Sequence, residues 1–291
     1  MPPATLLALV QRHRVTHLLG VPLIFNALVN FPALGQYDLS SLRFLLTGGA
    51  PASPVLIRAM QEKLGGLAMV GYGLTETSPV LSCARPRQHI KAAEPPGRDV
   101  VRRSMTGWAI PGIALRVVDA AGRDVSSDGE TIGEIVVRSN VVMEGYYKDP
   151  EATREAIRDG WFHTGDMATI DDTGEILIRD RAKDIIISGG ENISSVEIEN
   201  AIYTHPDVLE CAVVAAPDPR WGEIPVALVV PKPGRSPAPD ELLTHLRGRL
   251  AGFKVPRQVE VRAELPRGGT GKILKAQLRE PFWQGEPKRV H

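Results

Sequence analysis

The stretch VGYGLTETSPV, residues 70–80, sets Tyr72 between two glycines and follows it closely with Thr75 and Glu76. A ring can stack on a purine, a hydroxyl can hold a phosphate oxygen, and a carboxylate can bind a metal ion. The same letters also describe a strand ending in a glycine-rich turn, which is common in α/β chains. The dinucleotide fingerprint is not met, because Glu76 occupies its third glycine slot.

Three later segments carry similar chemistry. DGWFHTGDMATID places Asp166 after a glycine and before an apolar run, where a carboxylate can accept hydrogen bonds from two adjacent hydroxyls, as a ribose presents them. The alternative is an ordinary turn aspartate, and His163 beside it reads as a packed, satisfied side chain. RDRAKDIIISGGENISSVEIENAI offers Arg181, a planar fork for a ribose or phosphate oxygen. Ser194 and Glu197 have capping-box spacing, so Gly189-Gly190 leads into a helix N-terminus where backbone can approach a ligand. A strand, turn and helix with a surface ion pair would look the same. LPRGGTGKILKAQLRE holds Lys272 in a glycine-rich loop. It is not a Walker loop, since Pro266 replaces its first glycine and Ile273 its Ser/Thr. Lys272 therefore reads as a lysine on a flexible, exposed arm, either delivered into a site or simply on the surface.

The elements that must hold these residues follow from periodicity. Apolar residues from Ala4 to Arg14 recur at helical spacing, VTHLLGVP reads as a strand, and IFNALVN as a helix. LRFLLTGGAP is a strand running into a turn, ASPVLIRAMQEKLGG a helix ended by Gly65-Gly66, and LAMVGYG another strand. Apolar, unalternating strands separated by helices imply a parallel sheet covered on both faces, whose ligands bind beyond the carboxyl ends of the strands. TGGAP and GYGLTE both fall at that edge. Residues 83–103 have no period and read as a surface loop. ALRVVDAAGRDV, GEIVVRS and ATIDDTGEILIRD then alternate as short antiparallel strands, in a small sheet or barrel. After Asp184 come a strand IIIS, a helix from Ser194, the strands ECAVVAAP and PVALVV, and the helix DELLTHLRGRL. The expected fold class is α/β: a partial parallel-sheet subdomain plus a small antiparallel β subdomain, followed by a small α+β C-terminal domain.

The totals exclude several classes. At 43% hydrophobic and 23% charged residues the chain is globular rather than fibrous or disordered. Its 34 Lys+Arg balance 34 Asp+Glu, which argues against a nucleic-acid partner. The pairs Arg102-Arg103 and Lys288-Arg289 read as solvated. Cys83 and Cys211 make no disulfide scaffold, and Cys211 lies in an apolar run as a buried, inert thiol. The N-terminus lacks the pattern of a signal peptide and no apolar stretch is long enough to span a bilayer, so the expected compartment is reducing and cytoplasmic.

Taken together and in order, TGGAP, YGLTET, GEIVVRS, GWFHTGD, RDRAKDIIISGGENISSVEIE and PRGGTGKILK resemble the motifs of the AMP-forming acyl-CoA synthetases of the adenylate-forming superfamily. The resemblance covers essentially the whole chain, and SGGENI, RWGEIPVA and GKILKAQLREPFW look closest to bacterial fatty-acyl- and medium-chain acyl-CoA ligases. It implies a division into 1–104 and 105–182 of a large domain, a hinge at 183–184, and a mobile domain over 185–291. It implies that Tyr72 stacks on adenine opposite Gly48, Gly49 and Ala50, with Gly73 alongside. Thr75 would hold the phosphate, Glu76 would bind Mg²⁺, and Asp166 would take the ribose hydroxyls with Arg181. Lys183 would be the hinge, Lys272 would reach the α-phosphate and carboxylate during adenylation, and Gly189 and Gly190 would line the coenzyme A channel. ATP/AMP, Mg²⁺, coenzyme A and a small carboxylic acid are the implied cofactor and substrates.

The chain also departs from that family. The Ser/Thr/Gly-rich loop ending in lysine that cradles the β- and γ-phosphates is absent, as is the aromatic/histidine segment by the acyl pocket. The expectation is an N-terminally truncated ligase, unable alone to exchange ATP with pyrophosphate. A half-enzyme needing a complementing N-terminal chain, and a non-catalytic acyl-adenylate-binding module, are the alternatives. A fatty acid is the substrate implied by resemblance; an aryl acid, a carrier-protein acceptor and peripheral membrane contact stay open. Phe25, Asn26 and Leu28 lie on the helix that approaches the acyl pocket in relatives, or are core.

Overall fold

Parallel strands need crossovers, and the first third of the chain supplies them as helices that Pro, Ser and Gly start and stop. A computed structural model describes residues 2–85, 88, 90, 98–269 and 271–285. Helix α1 (Pro3–His13) leads to β1 (His17–Gly20), α2 (Pro22–Val29), β2 (Phe44–Thr47), α3 (Pro54–Leu64) and β3 (Leu67–Tyr72). Ser53 caps α3 by accepting the Leu56 N–H, and Gly65 follows its last turn at φ 81°. β1, β2 and β3 pair in parallel, with Gly20, Thr47 and Val70 in register at their carboxyl ends. Beneath them Leu7, Val10, Phe25, Leu28, Leu45, Ile57, Met60 and Met69 form one core.

The sheet continues antiparallel through β4 (Ser82–Cys83) and β5 (Trp108–Ala109). This corrects the reading of residues 83–103 as a surface loop. Cys83 is a paired strand residue, Ala84 is fully buried, and Arg98–Arg103 forms a helix, α4. Two-residue strands carry no period, so sequence could not show them; residues 86–87, 89 and 91–97 of that stretch lie outside those described. Nor are Arg102 and Arg103 solvated. Arg103 is 3% exposed and pairs with Asp99 at 2.7 Å; Arg102 bonds Glu175 and lies 3.4 Å from Asp171. Lys288 and Arg289 lie outside the described residues.

The antiparallel expectation holds as an open sheet. β6 (Ala114–Val118), β7 (Gly133–Arg138), β9 (Trp161–Ile170) and β10 (Ile176–Arg181) take the order β10-β9-β7-β6, and β8 (Ile157–Arg158) pairs with β9. Helix α5 (Pro150–Ala156) precedes β8, capped by Asp149. Alternating burial along β9 turns one face onto Leu81, Val117, Ile135, Val137, Ala168 and Ile176.

The chain forms two compact units: Met1–Thr164 with Ala168–Ile178, and Gly165–Met167 with Arg179–His291. In the second, β11 (Ile186–Ser188) and β12 (Glu191–Ile193) form a hairpin, followed by α6 (Ser195–Ile202). Then come β13 (Val208–Asp218), β14 (Gly222–Pro231), α7 (Pro239–Arg247), β15 (Gln258–Val261) and α8 (Lys275–Arg279). The sheet order is β12-β11-β14-β13, with β15 parallel to β14. β13 is apolar on both faces because both are covered. Cys211, Val213 and Ala215 face α6 and α7, whereas Ala212, Val214 and Ala216 meet Leu265 and Leu278. Ser194 caps α6 through the Glu197 N–H, but the Glu197 carboxylate goes to Lys254 at 2.7 Å, so the predicted capping box closes on one side only.

Candidate active site

In the first unit, the residues singled out by sequence gather at the carboxyl edge of β2 and β3. Gly48 extends β2 by donating to the Gly20 carbonyl at 3.3 Å. A Cβ at Gly48 would lie 2.6 Å from the Gly71 carbonyl oxygen, so the turn after β2 meets the end of β3 through backbone that admits no side chain. Gly49 follows at φ 82° with Ala50 beyond it. Tyr72 ends β3, half-buried, and a Cβ at Gly73 would lie 1.6 Å from the Pro79 oxygen. The chain then turns once over residues 75–77. Thr77 is buried and both donates to the Leu74 carbonyl and accepts its N–H, which leaves Thr75 exposed and Glu76 half-exposed.

Glu76 is held from a distant segment that sequence reasoning missed. Its carboxylate accepts the Tyr146 hydroxyl at 3.0 Å and its carbonyl accepts the Met143 N–H at 2.8 Å. Burial, then the hydrogen bond to Glu76 and its charge, push the Tyr146 phenol above its ordinary pKa of 10.0. Tyr146 is itself placed by α5: the Thr153 hydroxyl accepts the Tyr146 N–H at 2.9 Å and donates to the Asp149 carbonyl at 2.7 Å. The GYYKDP segment gives no periodic signal, so only the fold reveals this partner. Phe25 and Leu28 are core residues, 0% and 1% exposed, and Asn26 accepts twice from the Asn30 amide.

In the second unit, Asp166 is 5% exposed and lies 3.1 Å from the exposed Arg181 guanidinium. A buried carboxylate beside an exposed cation can take two hydroxyls while its charge stays paired. His163, on the same strand, sits 2.7 Å from both Glu134 and Arg158, the satisfied side chain its context suggested. Lys183 lies in a turn closed by the Asp184 and Ile185 N–H groups on the Arg181 carbonyl, at 2.9 and 3.1 Å.

Gly189 and Gly190 make the tip of the β11–β12 hairpin at φ 60° and 88°. Gly189 donates to the Trp221 carbonyl at 2.8 Å, and a Cβ on it would stand 2.8 Å from the Trp221 ring. Trp221, with Arg220 stacked on it at 4.6 Å, lies in the RWGEIPVA segment, to which sequence reasoning assigned no role at the site. Lys272 is exposed, as expected, but its arm is braced: Gly268 donates to the Lys272 carbonyl at 2.9 Å, and Arg267 and Ile273 form a bridge.

Next to that loop lies an unforeseen buried cluster. The Lys275 ammonium is 2.7 Å from Glu199 and 2.5 Å from the Ser195 hydroxyl, which in turn donates to Asp180 at 2.6 Å. Burial would lower the Lys275 pKa, but Glu199 and Asp180 outweigh it and hold the group above its ordinary 10.5. Burial pushes the Cys211 thiol well above 9.0, as expected of an inert core cysteine.

Two family models match the chain in sequence with these features, the AMP-binding enzyme over residues 1–147 and the AMP-binding enzyme C-terminal domain over residues 197–272. The chain belongs to the AMP-binding enzymes. Within this adenylate-forming family it is 46% identical over 286 residues to the feruloyl-CoA synthase of Amycolatopsis sp, matching 96% of this chain and 54% of that one. It is 42% identical over 284 residues to the long-chain-fatty-acid–CoA ligase of Thermus thermophilus, matching 97% and 52%. Among solved structures, the amide bond synthetase McbA of Marinactinospora thermotolerans superposes with TM-score 0.86 at 35% identity, covering 97% of this chain and 56% of that one. The chain thus spans about half the length of the curated relatives it matches. No helix among the described residues is long and apolar enough to cross a membrane.

Proposed function

We propose that the chain serves an AMP-forming acid–thiol ligase, which joins a carboxylic acid to AMP and passes the acyl group to coenzyme A. In the first step a carboxylate oxygen attacks the α-phosphorus of ATP and the bond to pyrophosphate breaks. In the second the coenzyme A thiol, losing its proton, attacks the acyl carbon and AMP leaves. The observation that carries the reading is the composition of the second unit. One small body holds a buried carboxylate paired to an exposed guanidinium, a glycine hairpin tip under a tryptophan, and an exposed lysine on a braced loop.

The resemblance to the adenylate-forming ligases implies the roles. Tyr72 stacks on adenine, with Gly48, Gly49 and Ala50 opposite and Gly73 letting backbone come close. Thr75 donates to the phosphate, and Asp166 with Arg181 takes the ribose hydroxyls. Lys272 offsets charge that develops on phosphoryl oxygens in the first step. Gly189 and Gly190 leave room for the pantetheine arm, and Lys183 is the pivot that exchanges the two tasks of the second unit. Glu76 supplies one hard oxygen donor, oriented by Tyr146, which suits Mg²⁺ held largely by phosphates and water. When bound, that ion neutralises phosphoryl charge.

For the acid, a fatty chain is the first reading; the 46% identity to a feruloyl-CoA synthase favours an aryl acid as the second. Synthetic adenylates of a medium-chain, a long-chain and an aryl acid, each mixed with coenzyme A and the purified chain, test both. Thioester above the spontaneous rate is expected for one acyl class. No thioester from any adenylate would count against the ligase reading.

A further inference from the structure

The Lys272 loop and the turn at Lys183 are far apart in sequence, yet one short helix grips both. α8 starts three residues after Lys272. Its first residue, Lys275, donates to Ser195, whose N–H and hydroxyl both go to Asp180 at 2.6 Å. Its last residue, Arg279, donates to the Lys183 carbonyl at 3.0 Å and lies 3.3 Å from the Asp184 carboxylate. The two side chains are four positions apart and so share one helix face. The loop ahead of the helix is closed as well, with Leu274 donating to the Pro266 carbonyl at 2.9 Å and Arg267 to the Gly271 carbonyl at 2.8 Å.

We propose that Arg279, supported by Lys275, is a positioning residue: it fastens the Lys183–Asp184 turn to the helix that carries the Lys272 loop. The inference rests on the ligase reading, in which Lys183 is the pivot and Lys272 the travelling cation. A pivot works by changing φ and ψ, and the Lys183 carbonyl swings with ψ. A guanidinium on that carbonyl selects one setting and makes loop and turn move as a single lever. One guanidinium nitrogen, Nη1, reaches both the carbonyl and the carboxylate, and the rigid guanidinium plane fixes its direction, whereas a lysine ammonium on a flexible stem holds them less well. The competing view is that α8 merely covers β13 through Leu278, which is 9% exposed among Ala212, Val214 and Leu265.

Amide hydrogen exchange on the full chain separates the two. In Arg279→Ala the Asp184 and Ile185 amides should exchange about tenfold faster or more, the scale set by losing a charge-assisted hydrogen bond. Amides of β13 and β14 should keep their rates, and Arg279→Lys should fall between. Equal acceleration in β13 and β14, or none at 184–185, overturns the proposal. Should Arg279→Ala fail to fold, Asp184→Asn, which leaves Leu278 and the Lys183 bond in place, provides the same comparison with a smaller local acceleration. In the thioester assay Arg279→Ala should lower kcat and leave the KM for coenzyme A unchanged; a raised KM with kcat intact contradicts the role. A parent chain that forms no thioester would sink the ligase reading, while the exchange pattern would still decide the clamp.

Discussion

The buried pair Lys275–Glu199 gives a prediction whose size can be worked out. The ammonium stands 2.7 Å from Glu199, with side-chain exposures of 18% and 11%. At that distance the attraction is about 6 kcal/mol for an effective dielectric of about 20. Desolvation offsets most of it, so the pair is nearly neutral against an apolar substitute, but stripping one partner leaves a buried charge and costs about 3–5 kcal/mol. The residual exposure of Lys275 puts the expectation at the lower end, about 3 kcal/mol for Lys275→Met or Glu199→Gln. The double variant should cost about 3 kcal/mol less than the sum, no more than either single change, because it strands no charge. Glutamine retains an oxygen for the Val213 N–H, which Glu199 accepts at 2.9 Å, so no backbone donor is orphaned. Pulsed alkylation across a urea series, read by mass spectrometry at the buried Cys211, reports this unit alone, while Cys83 reports the other. With a slope of about 2–3 kcal/mol per molar, each single variant should lower the Cys211 midpoint by about 1 M urea and leave Cys83 alone. Single shifts below about 0.3 M, or a double variant at the full sum, would refute the reasoning.

The pair also sets a pH dependence. Because the folded pKa of Lys275 lies above its ordinary 10.5, its stabilisation is present below that pH and fades as pH rises past it; a parent midpoint that falls above pH 10.5, with the fall lost in Lys275→Met, would show this. Gly189→Ala should strain a left-handed residue by about 1–2 kcal/mol and push the Trp221 ring aside, raising the KM for coenzyme A without changing AMP affinity. An unchanged KM would count against the hairpin tip as a thiol channel. At pH 8, Cys211 should resist alkylation until the second unit unfolds, since burial holds its thiol far above 9.0; rapid labelling of the folded chain would contradict that.

Much of this was legible because local rules and tertiary structure agree. The unalternating run around Cys211 reads as a strand buried on both faces, and β13 is covered by α6 and α7 on one side and by Leu265 and Leu278 on the other. TGGAP and GYGLTE read as segments at the carboxyl edge of the parallel sheet, and β2 and β3 do end there, with Gly48 against Gly71. What stayed hidden depends on partners distant in sequence. Arg102 looked like a solvated cation because Glu175 lies 73 residues away. Tyr146 reaches Glu76 across 70 residues and Lys275 reaches Ser195 across 80, and no period of 2 or 3.6 encodes either contact. The strands around Cys83 are too short to show alternation.

The central claim is that Asp166 holds the ribose of an adenylate. Calorimetric titration of AMP into the chain and into Asp166→Asn, with matched circular dichroism, tests it most directly. Saturable binding at one site by the parent and about tenfold or greater weakening in the variant are predicted, from loss of charge-assisted bonds to the two hydroxyls. Equal affinity in the two proteins, or no binding by the parent, would contradict it.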